Sequence, residues 1–486
     1  MPSTTVAQPL NHWIGGESVA PASGNYFDDL NPADDSVYAR AAEGSAEDVN
    51  RAVEAAHAAF ASYRQTLPKQ REAWLNRAAD LIEAQREEFL DILIDEVGSP
   101  VMKAGFETAF APTMLRAAAG VPRRLTGETI PSDTPGRISM SVREPVGVVA
   151  GITPFNVPLI KAMKQAAMAL ATGNTFVLLP SEHAPHLAHR VAKLFADAGF
   201  PDGSFNVVTG NGAVIGDSLT GHPLVKAVTF TGSSVVGRHI AELCGRNLKK
   251  CVLELGGKSP LVVFKDADLE AAVRAAAMGT FFYQGQACMA SSRILVERPV
   301  LEQFGEMLGR AAGGMQGGDL REPSTVLGPI ISERQRERVR RHIDDAVEKG
   351  ARVLAGASWD GARCAPTVFT DVRPEMTLYY EETFGPVTSL YPFDTQDEAV
   401  ALANDSEYGL SAAVFTSNVN TAIEMARAIH TGMVHINAPS LYDEPHVPFG
   451  GVGSSGLGRE GTDADLDTMT EWKWITVQLP GYAPAH

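Results

Sequence analysis

From residue 146 onward, short apolar runs alternate with stretches of helical periodicity, and that alternation admits few architectures. Residues 146–152, 176–179, 205–208 and 225–230 read as strands, and residues 159–171 and 188–198 as helices, the first of them stopped by Gly173-Asn174. Strands this short and apolar are covered on both faces, the condition of a parallel sheet with helices above and below. A second series begins at Val252, with a strand at 261–264, a helix at 269–280 and a strand at 294–297, and it continues to about Asn437. The chain therefore reads as α/β, with two doubly wound units joined near Leu255-Gly256-Gly257, where Gly257 is a hinge or simply a turn residue.

The ends differ from this middle. Ser45, followed by Glu47 and Asp48, opens a helix with Val49, Val53, Ala56 and Phe60 on one face; Trp74, Leu75, Ala78, Leu81 and Ile82 mark another, and helical character lasts to about Gly120. Residues 139–142 look like a strand, 448–461 are glycine-rich, and 472–478 alternate like an exposed strand. An exposed apolar strand is either an aggregation liability or a subunit contact, and the contact is the expectation here.

A chain of 486 residues needs no disulfide staples. Its four cysteines, Cys244, Cys251, Cys288 and Cys364, form no CxxC pair and no ligand cluster with histidine. No metal site and a reducing, cytoplasmic setting are expected. A net charge of -17 argues against nucleic acid or an anionic membrane as partner. Residues 1–21 show no secretory signal, and the most apolar stretch, 146–180, is interrupted by Pro154, Asn156, Pro158, Lys161, Lys164 and Asn174, so it does not read as a membrane span.

Four segments can carry chemistry. In Gln284-Gly285-Gln286-Ala287-Cys288-Met289-Ala290-Ser291-Ser292-Arg293 a cysteine follows a glycine-bearing turn, whose N–H groups can lower a thiol pKa and hold an anion. Alone, such a cysteine is ordinarily a small buried residue. Val252-Leu253-Glu254-Leu255-Gly256-Gly257-Lys258 sets a carboxylate inside an apolar strand. Burial would raise its pKa toward that of a general base, unless it is salt-bridged, for instance to Lys258. In Thr153-Pro154-Phe155-Asn156-Val157-Pro158, Asn156 can donate to an oxyanion or cap a helix, and Ile160 and Met163 share its helix face. Phe230-Thr231-Gly232-Ser233-Ser234-Val235-Val236-Gly237 opens a helix whose N-terminus attracts phosphate, although it is not the GxGxxG fingerprint.

Together and in this order, TPFNVP, LLPSE, FTGSSVVG, LELGGKSP, GQACMASSR, EETFGPV and PFGG make the chain resemble the NAD(P)-dependent aldehyde dehydrogenase superfamily from about Asn11 to Gln478. Residues 441–451 are most similar to the segment found in benzaldehyde, salicylaldehyde and vanillin dehydrogenases. The resemblance implies a Rossmann-type cofactor domain (1–124 and 143–255), an α/β catalytic domain (256–455) and a small β oligomerisation arm with a C-terminal segment (125–142 and 456–486), assembled as a homodimer or homotetramer. It implies Cys288 as nucleophile, Glu254 as general base, and Asn156 with the Cys288 N–H as oxyanion hole. It further implies a cofactor site of Ile152, Thr153, Pro154, Phe155, Leu179, Ser181, Glu182, Phe230, Thr231, Gly232, Ser233, Val236, Leu255, Gly256, Glu382 and Phe384. Within it Glu182 would meet the adenosine ribose, Ser233 the pyrophosphate, and Glu382 and Phe384 the nicotinamide ribose and ring. Leu179 stands where the family usually has lysine; a 2′-phosphate loses that cation and meets Glu182, so NAD is expected over NADP.

The implied chemistry suits these residue types. A thiol of ordinary pKa, about 8.5, offers some thiolate near neutrality. The thiolate adds to the aldehyde, the oxyanion expels hydride, and Glu254 activates the water that hydrolyses the thioester. Phe155, Val157, Ile160, Met163, Phe282, Ala287, Met289, Leu441, Tyr442 and Phe449 are the expected pocket, apolar and aromatic with no obvious arginine, which suggests an aromatic aldehyde; an aliphatic or semialdehyde substrate is the alternative. Lys161 and Lys164 read as solvated helix lysines, or as contacts for a phenolate or acid. A CoA-acylating enzyme would tend to lack Glu254, and a cofactor-free cysteine hydrolase would need a histidine, none of which lies near Cys288 in sequence. A non-catalytic structural protein would have no reason to hold Cys288, Glu254 and Asn156 together.

Overall fold

The computed structural model describes residues 6–482. The first apolar series forms five parallel strands in the order Phe205–Val207, Thr175–Leu179, Val148–Ile152, Val225–Thr231 and Lys250–Glu254. The chain winds outward from Val148–Ile152 in one direction, then returns to its other side. That reversal, between Val148–Ile152 and Val225–Thr231, is the topological switch point beyond whose carboxyl ends α/β sheets bind ligands. His12–Ile14 and Glu17–Val19 extend one edge antiparallel, and Gly456–Leu457 closes the other against Lys250–Glu254. The strand around Val252 thus ends the first sheet rather than opening the second, with Thr231 opposite Glu254.

The second sheet has the order Arg352–Ala355, Thr367–Thr370, Val387–Phe393, Arg293–Glu297, Pro260–Val263, Ser411–Phe415 and Met433–Ile436, parallel except at its first pair. A third element is antiparallel: Thr470–Gln478 pairs along its length with Arg137–Pro145, and Glu128–Thr129 completes it. Residues 456–469, expected with this arm, pack elsewhere. Gly456–Leu457 joins the first sheet, and the helix Thr462–Met469 turns Leu466 and Met469 into the core beside the helix Pro158–Ala171. Residues 1–5 and 483–486, counted with the first and last expected segments, lie outside the described residues.

Every residue of the helix Pro158–Ala171 is buried. A helix apolar nearly all round has no solvent face, so Lys161 and Lys164 are enclosed rather than solvated. Its first turn is not capped by Asn156. The helix starts after Val157 with no side-chain cap, and the N–H groups of Leu159 and Ile160 donate to Glu107 Oε2 at 3.1 and 3.4 Å. Among the described residues no helix is long and apolar enough to cross a membrane, and all four cysteines are free thiols.

Candidate active site

Strand register gathers the first set of residues. Phe230 lies opposite Ile152 and Thr231 opposite Glu254, so the Asn156 loop, the Gly232 turn and Glu254 share one end of the first sheet. The Gly232 N–H donates to the Glu254 carbonyl at 3.0 Å. Just beyond, a Cβ on Gly257 would fall 2.2 Å from the Cys288 carbonyl oxygen. Glycine is required there because two backbones meet, which is a tighter reason than a hinge or a turn. The glutamate strand is thereby docked onto the cysteine loop.

That loop is strained and held. Tyr283, Gln284 and Gly285 are all left-handed, with φ of 49, 54 and 66°; for the two non-glycine residues this costs about 1–3 kcal/mol each. The surroundings over-determine it. Tyr283 Oη donates to Val97 O at 2.7 Å, Gln284 Nε2 to Pro329 O at 3.0 Å, and the Ile331 N–H to Gln286 Oε1 at 3.0 Å. Past Cys288, Ser440 Oγ donates to Met289 O at 2.7 Å and lies 2.8 Å from Ser291 Oγ.

Glu254 is 2% exposed, and neither carboxyl oxygen has a hydrogen-bond partner among the described residues. The Lys258 salt bridge does not form; Lys258 Nζ donates instead to Glu381 O at 2.7 Å. Burial first, and then the charge of Glu460, hold the Glu254 carboxyl well above the usual carboxylate range. Gly450 lies against this carboxyl: a Cβ there would sit 2.6 Å from Oε1. Glu460 in turn pairs with Lys161 at 2.6 Å, both deeply buried. Burial alone would depress Lys161, but Glu460 and then Glu254 outweigh it and hold the ammonium above its ordinary range.

At Cys288 desolvation dominates and pushes the thiol up to about 12, with Lys161 opposing and Glu382 and Glu254 adding to the rise. The expectation of an ordinary thiol is therefore corrected, because desolvation outweighs the loop amides. At neutral pH the sulfur carries its proton, so it could serve as a nucleophile only with a base beside it. Glu460 was not singled out from sequence; between Arg459 and Gly461 in a glycine-rich stretch it looks solvated. Lys161 did have a signal, since a lysine in an otherwise apolar helix must find a partner.

The switch-point crevice fits a dinucleotide. Exposed Ser233 caps the helix Ser234–Arg246, accepting from the Val236 N–H at 3.4 Å, at an N-terminus suited to a pyrophosphate. Gly237 lets that helix close on the strand end, since its Cβ would lie 2.3 Å from Leu255 Cδ2. Val236 is 45% exposed, an apolar surface that a purine would cover. Glu382 Oε1 accepts from the Gly257 N–H at 2.9 Å, and a Cβ on Gly256 would meet Oε2 at 2.5 Å. The Phe384 ring stands edge-on to Phe155 at 5.8 Å. Gln335 Nε2 pins this segment through the carbonyls of Thr383 and Phe384, at 3.0 and 2.9 Å. Ile152, Pro154 and Ser181 are partly exposed, Thr153 is buried, and Glu182 is open to solvent.

Three expected contacts are core residues. Leu179 is 1%, Phe230 5% and Leu255 6% exposed, all inside one apolar cluster, so their side chains face the sheet interior rather than the crevice. Of the expected pocket, Phe155, Val157, Phe282, Ala287, Met289 and Leu441 are partly exposed around the Asn156 and Cys288 loops, while Asn156, Ile160 and Phe449 are buried beside them. Met163, two turns along an enclosed helix, belongs to the core, and half-exposed Tyr442 donates to Glu444 Oε1 at 2.9 Å.

Residues 19–475 match the aldehyde dehydrogenase family. A vanillin dehydrogenase from Pseudomonas sp. (strain HR199) is 42% identical over 468 residues, 96% of this chain and 97% of that protein. An NAD(+) benzaldehyde dehydrogenase from Pseudomonas putida is 40% identical over 486 residues, 99% of either chain. The crystal structure of a salicylaldehyde dehydrogenase from Pseudomonas putida G7, complexed with salicylaldehyde, superposes with a TM-score of 0.95 at 33% identity, covering 98% of this chain and 99% of that one. A doubly wound crevice, a cysteine on a braced loop and a buried glutamate beside it thus have a common explanation: the chain belongs to the aldehyde dehydrogenase family and is an NAD(P)-dependent oxidoreductase that converts an aldehyde to its acid.

Proposed function

We propose that the enzyme oxidises an aromatic aldehyde, with NAD preferred, through a thioester on Cys288. The observation that carries this reading is the buried, unpartnered Glu254 carboxyl whose charge is felt at the Cys288 sulfur. In this reading Glu254 takes the thiol proton as Cys288 Sγ attacks the carbonyl carbon. The Asn156 amide and the Cys288 N–H donate to the oxyanion that forms. The bound nicotinamide supplies the acceptor for the hydride that leaves this carbon. Once it has passed the thiol proton to solvent, Glu254 removes a proton from water, the resulting hydroxide opens the thioester, and the acid departs as the Cys288 thiolate is released and regains a proton. Glu382 and Phe384 would hold the ribose and ring, and Ser233 the pyrophosphate.

Asn156→Ala is expected to lower kcat about a hundred- to a thousandfold, the usual effect of removing one oxyanion donor, with KM nearly unchanged. A drop of less than about threefold would remove Asn156 from the mechanism.

The aromatic assignment rests on Phe155, Phe282 and Leu441 near the cysteine loop, and on the names of the relatives above. With Leu179 in the core and Glu182 exposed, these positions offer a 2′-phosphate no cation. A panel of aromatic, aliphatic and semialdehyde substrates with either cofactor, read by absorbance of the reduced nicotinamide, tests both parts. Aromatic aldehydes should give the highest kcat/KM, and NAD should exceed NADP by about tenfold or more, the worth of one charged contact. Equal or better efficiency with NADP refutes the cofactor preference.

We also assign cofactor binding to residues 1–124 and 143–255, catalysis to 256–455, and assembly to the arm. Among the described residues the outer edge of Thr470–Gln478 is unpaired, and it shows Trp474 at 70% and Val477 at 45% exposure, which favours a homodimer or homotetramer. Light scattering that returns a monomer at micromolar concentration would remove that role.

A further inference from the structure

The segment 440–449 bridges the two walls of the site and carries a charged pair that the mechanism does not use. At one end Ser440 is bonded to Met289, next to Cys288; at the other, Phe449 precedes Gly450, which lies against Glu254. Between them Asp443 Oδ2 pairs with Lys164 Nζ at 2.8 Å, the side chains 14% and 3% exposed. Lys164 projects from the helix that follows Asn156, and its ammonium lies 4.2 Å from the centre of the Phe449 ring. The second carboxyl oxygen, Asp443 Oδ1, is buried and has no hydrogen-bond partner among the described residues. The other charge on this segment, Glu444, is engaged by the Tyr442 hydroxyl and lies 3.4 Å from His446 Nε2.

A buried carboxylate oxygen in this condition is expensive unless something donates to it, and such groups in native proteins call for an explanation. Its setting defines the donor. The Phe449 ring lies beside Lys164, and Lys164 already satisfies one oxygen. A neutral hydroxyl carried on an aromatic ring matches this best; a carboxylate or an ionised oxygen on the substrate would meet repulsion from Asp443. We propose that Asp443, fixed by Lys164, accepts a hydrogen bond from a ring hydroxyl of the substrate and makes the enzyme selective for phenolic aldehydes. This rests on the aromatic reading above and adds to it the group that is recognised.

The test compares kcat/KM for benzaldehyde, the ortho, meta and para hydroxybenzaldehydes, and the matching methoxybenzaldehydes, which keep the oxygen but have no proton to give. For the wild type, at least one hydroxy isomer should exceed its methoxy counterpart by about tenfold or more, as expected of a charge-assisted hydrogen bond. That preference should fall as pH rises through the phenol's own pKa, because a phenolate cannot donate. In the double variant K164M/D443L, which removes both charges and leaves neither buried alone, the hydroxy-to-methoxy ratio should collapse toward unity. The inference is overturned if no hydroxy isomer is preferred, if the ratio survives in the double variant, or if the preference rises through the phenol pKa, which would assign the contact to the lysines. If the double variant does not fold, the wild-type ratio and its pH dependence decide alone. Wild-type enzyme that oxidises aliphatic aldehydes but neither benzaldehyde nor its derivatives would instead sink the aromatic reading itself.

Discussion

Cys288→Ala should abolish aldehyde oxidation while leaving the protein folded. Without the sulfur no covalent adduct forms, and hydride cannot leave a trigonal aldehyde carbon. The remaining oxyanion donors and cofactor crevice cannot replace bond formation, so the steady-state rate should fall by more than about ten-thousandfold. Stability should hardly move. The thiol is neutral at pH 7, so no ion pair is lost, and the loop is fixed by Tyr283, Gln284, Gln286 and Ser440 rather than by the sulfur. Cys288 is partly exposed, so removing its sulfur leaves at most a small cavity, worth on the order of 1 kcal/mol or less. Thermal unfolding and steady-state formation of reduced cofactor check the two halves separately. A variant within about a hundredfold of wild-type turnover would take the sulfur out of the mechanism.

Sequence reasoning found the features that depend on pattern and missed those that depend on burial. Alternating short strands and helices suffice for a doubly wound sheet, since a βαβ crossover has essentially one way to pack. Glu254 was visible because a carboxylate in Val252-Leu253-Glu254-Leu255 contradicts its surroundings. Glu460 offers no such contradiction, and only the fold reveals that Gly456–Leu457 carries its segment onto the sheet beside Lys161. Leu179 shows the converse. The motif position suggests a ligand, but strand alternation turns the side chain into the core. The left-handed pair Tyr283-Gln284 could not be anticipated, because neither residue type favours that conformation; tertiary bonds impose it. The Lys164–Asp443 pair lies between elements 279 residues apart, beyond any local signal.

Glu254→Gln separates the two half-reactions. Glutamine keeps the volume and can sit in the same enclosed place, but it cannot take a proton. Acylation should still occur once in each active site, giving a burst of reduced cofactor equal to the enzyme concentration, after which turnover stalls because no base activates water. The burst itself should be slowed at neutral pH, since the thiol has lost its proton acceptor, and should recover as pH rises. Loss of the Glu254 charge assists that recovery, because this charge contributes to the high thiol pKa. The wild-type pH profile follows from the same carboxyl. Burial and Glu460 raise its pKa, so the basic form exists only above that raised value, and turnover should fall as pH drops through it, well above the range of an ordinary glutamate. In the variant this acid limb should vanish from the residual rate. Mass spectrometry should find the acyl group on the Cys288 peptide of the stalled enzyme. Full steady-state turnover in the variant, or a stall with no covalent adduct, would mean that the buried carboxyl is not what releases the product.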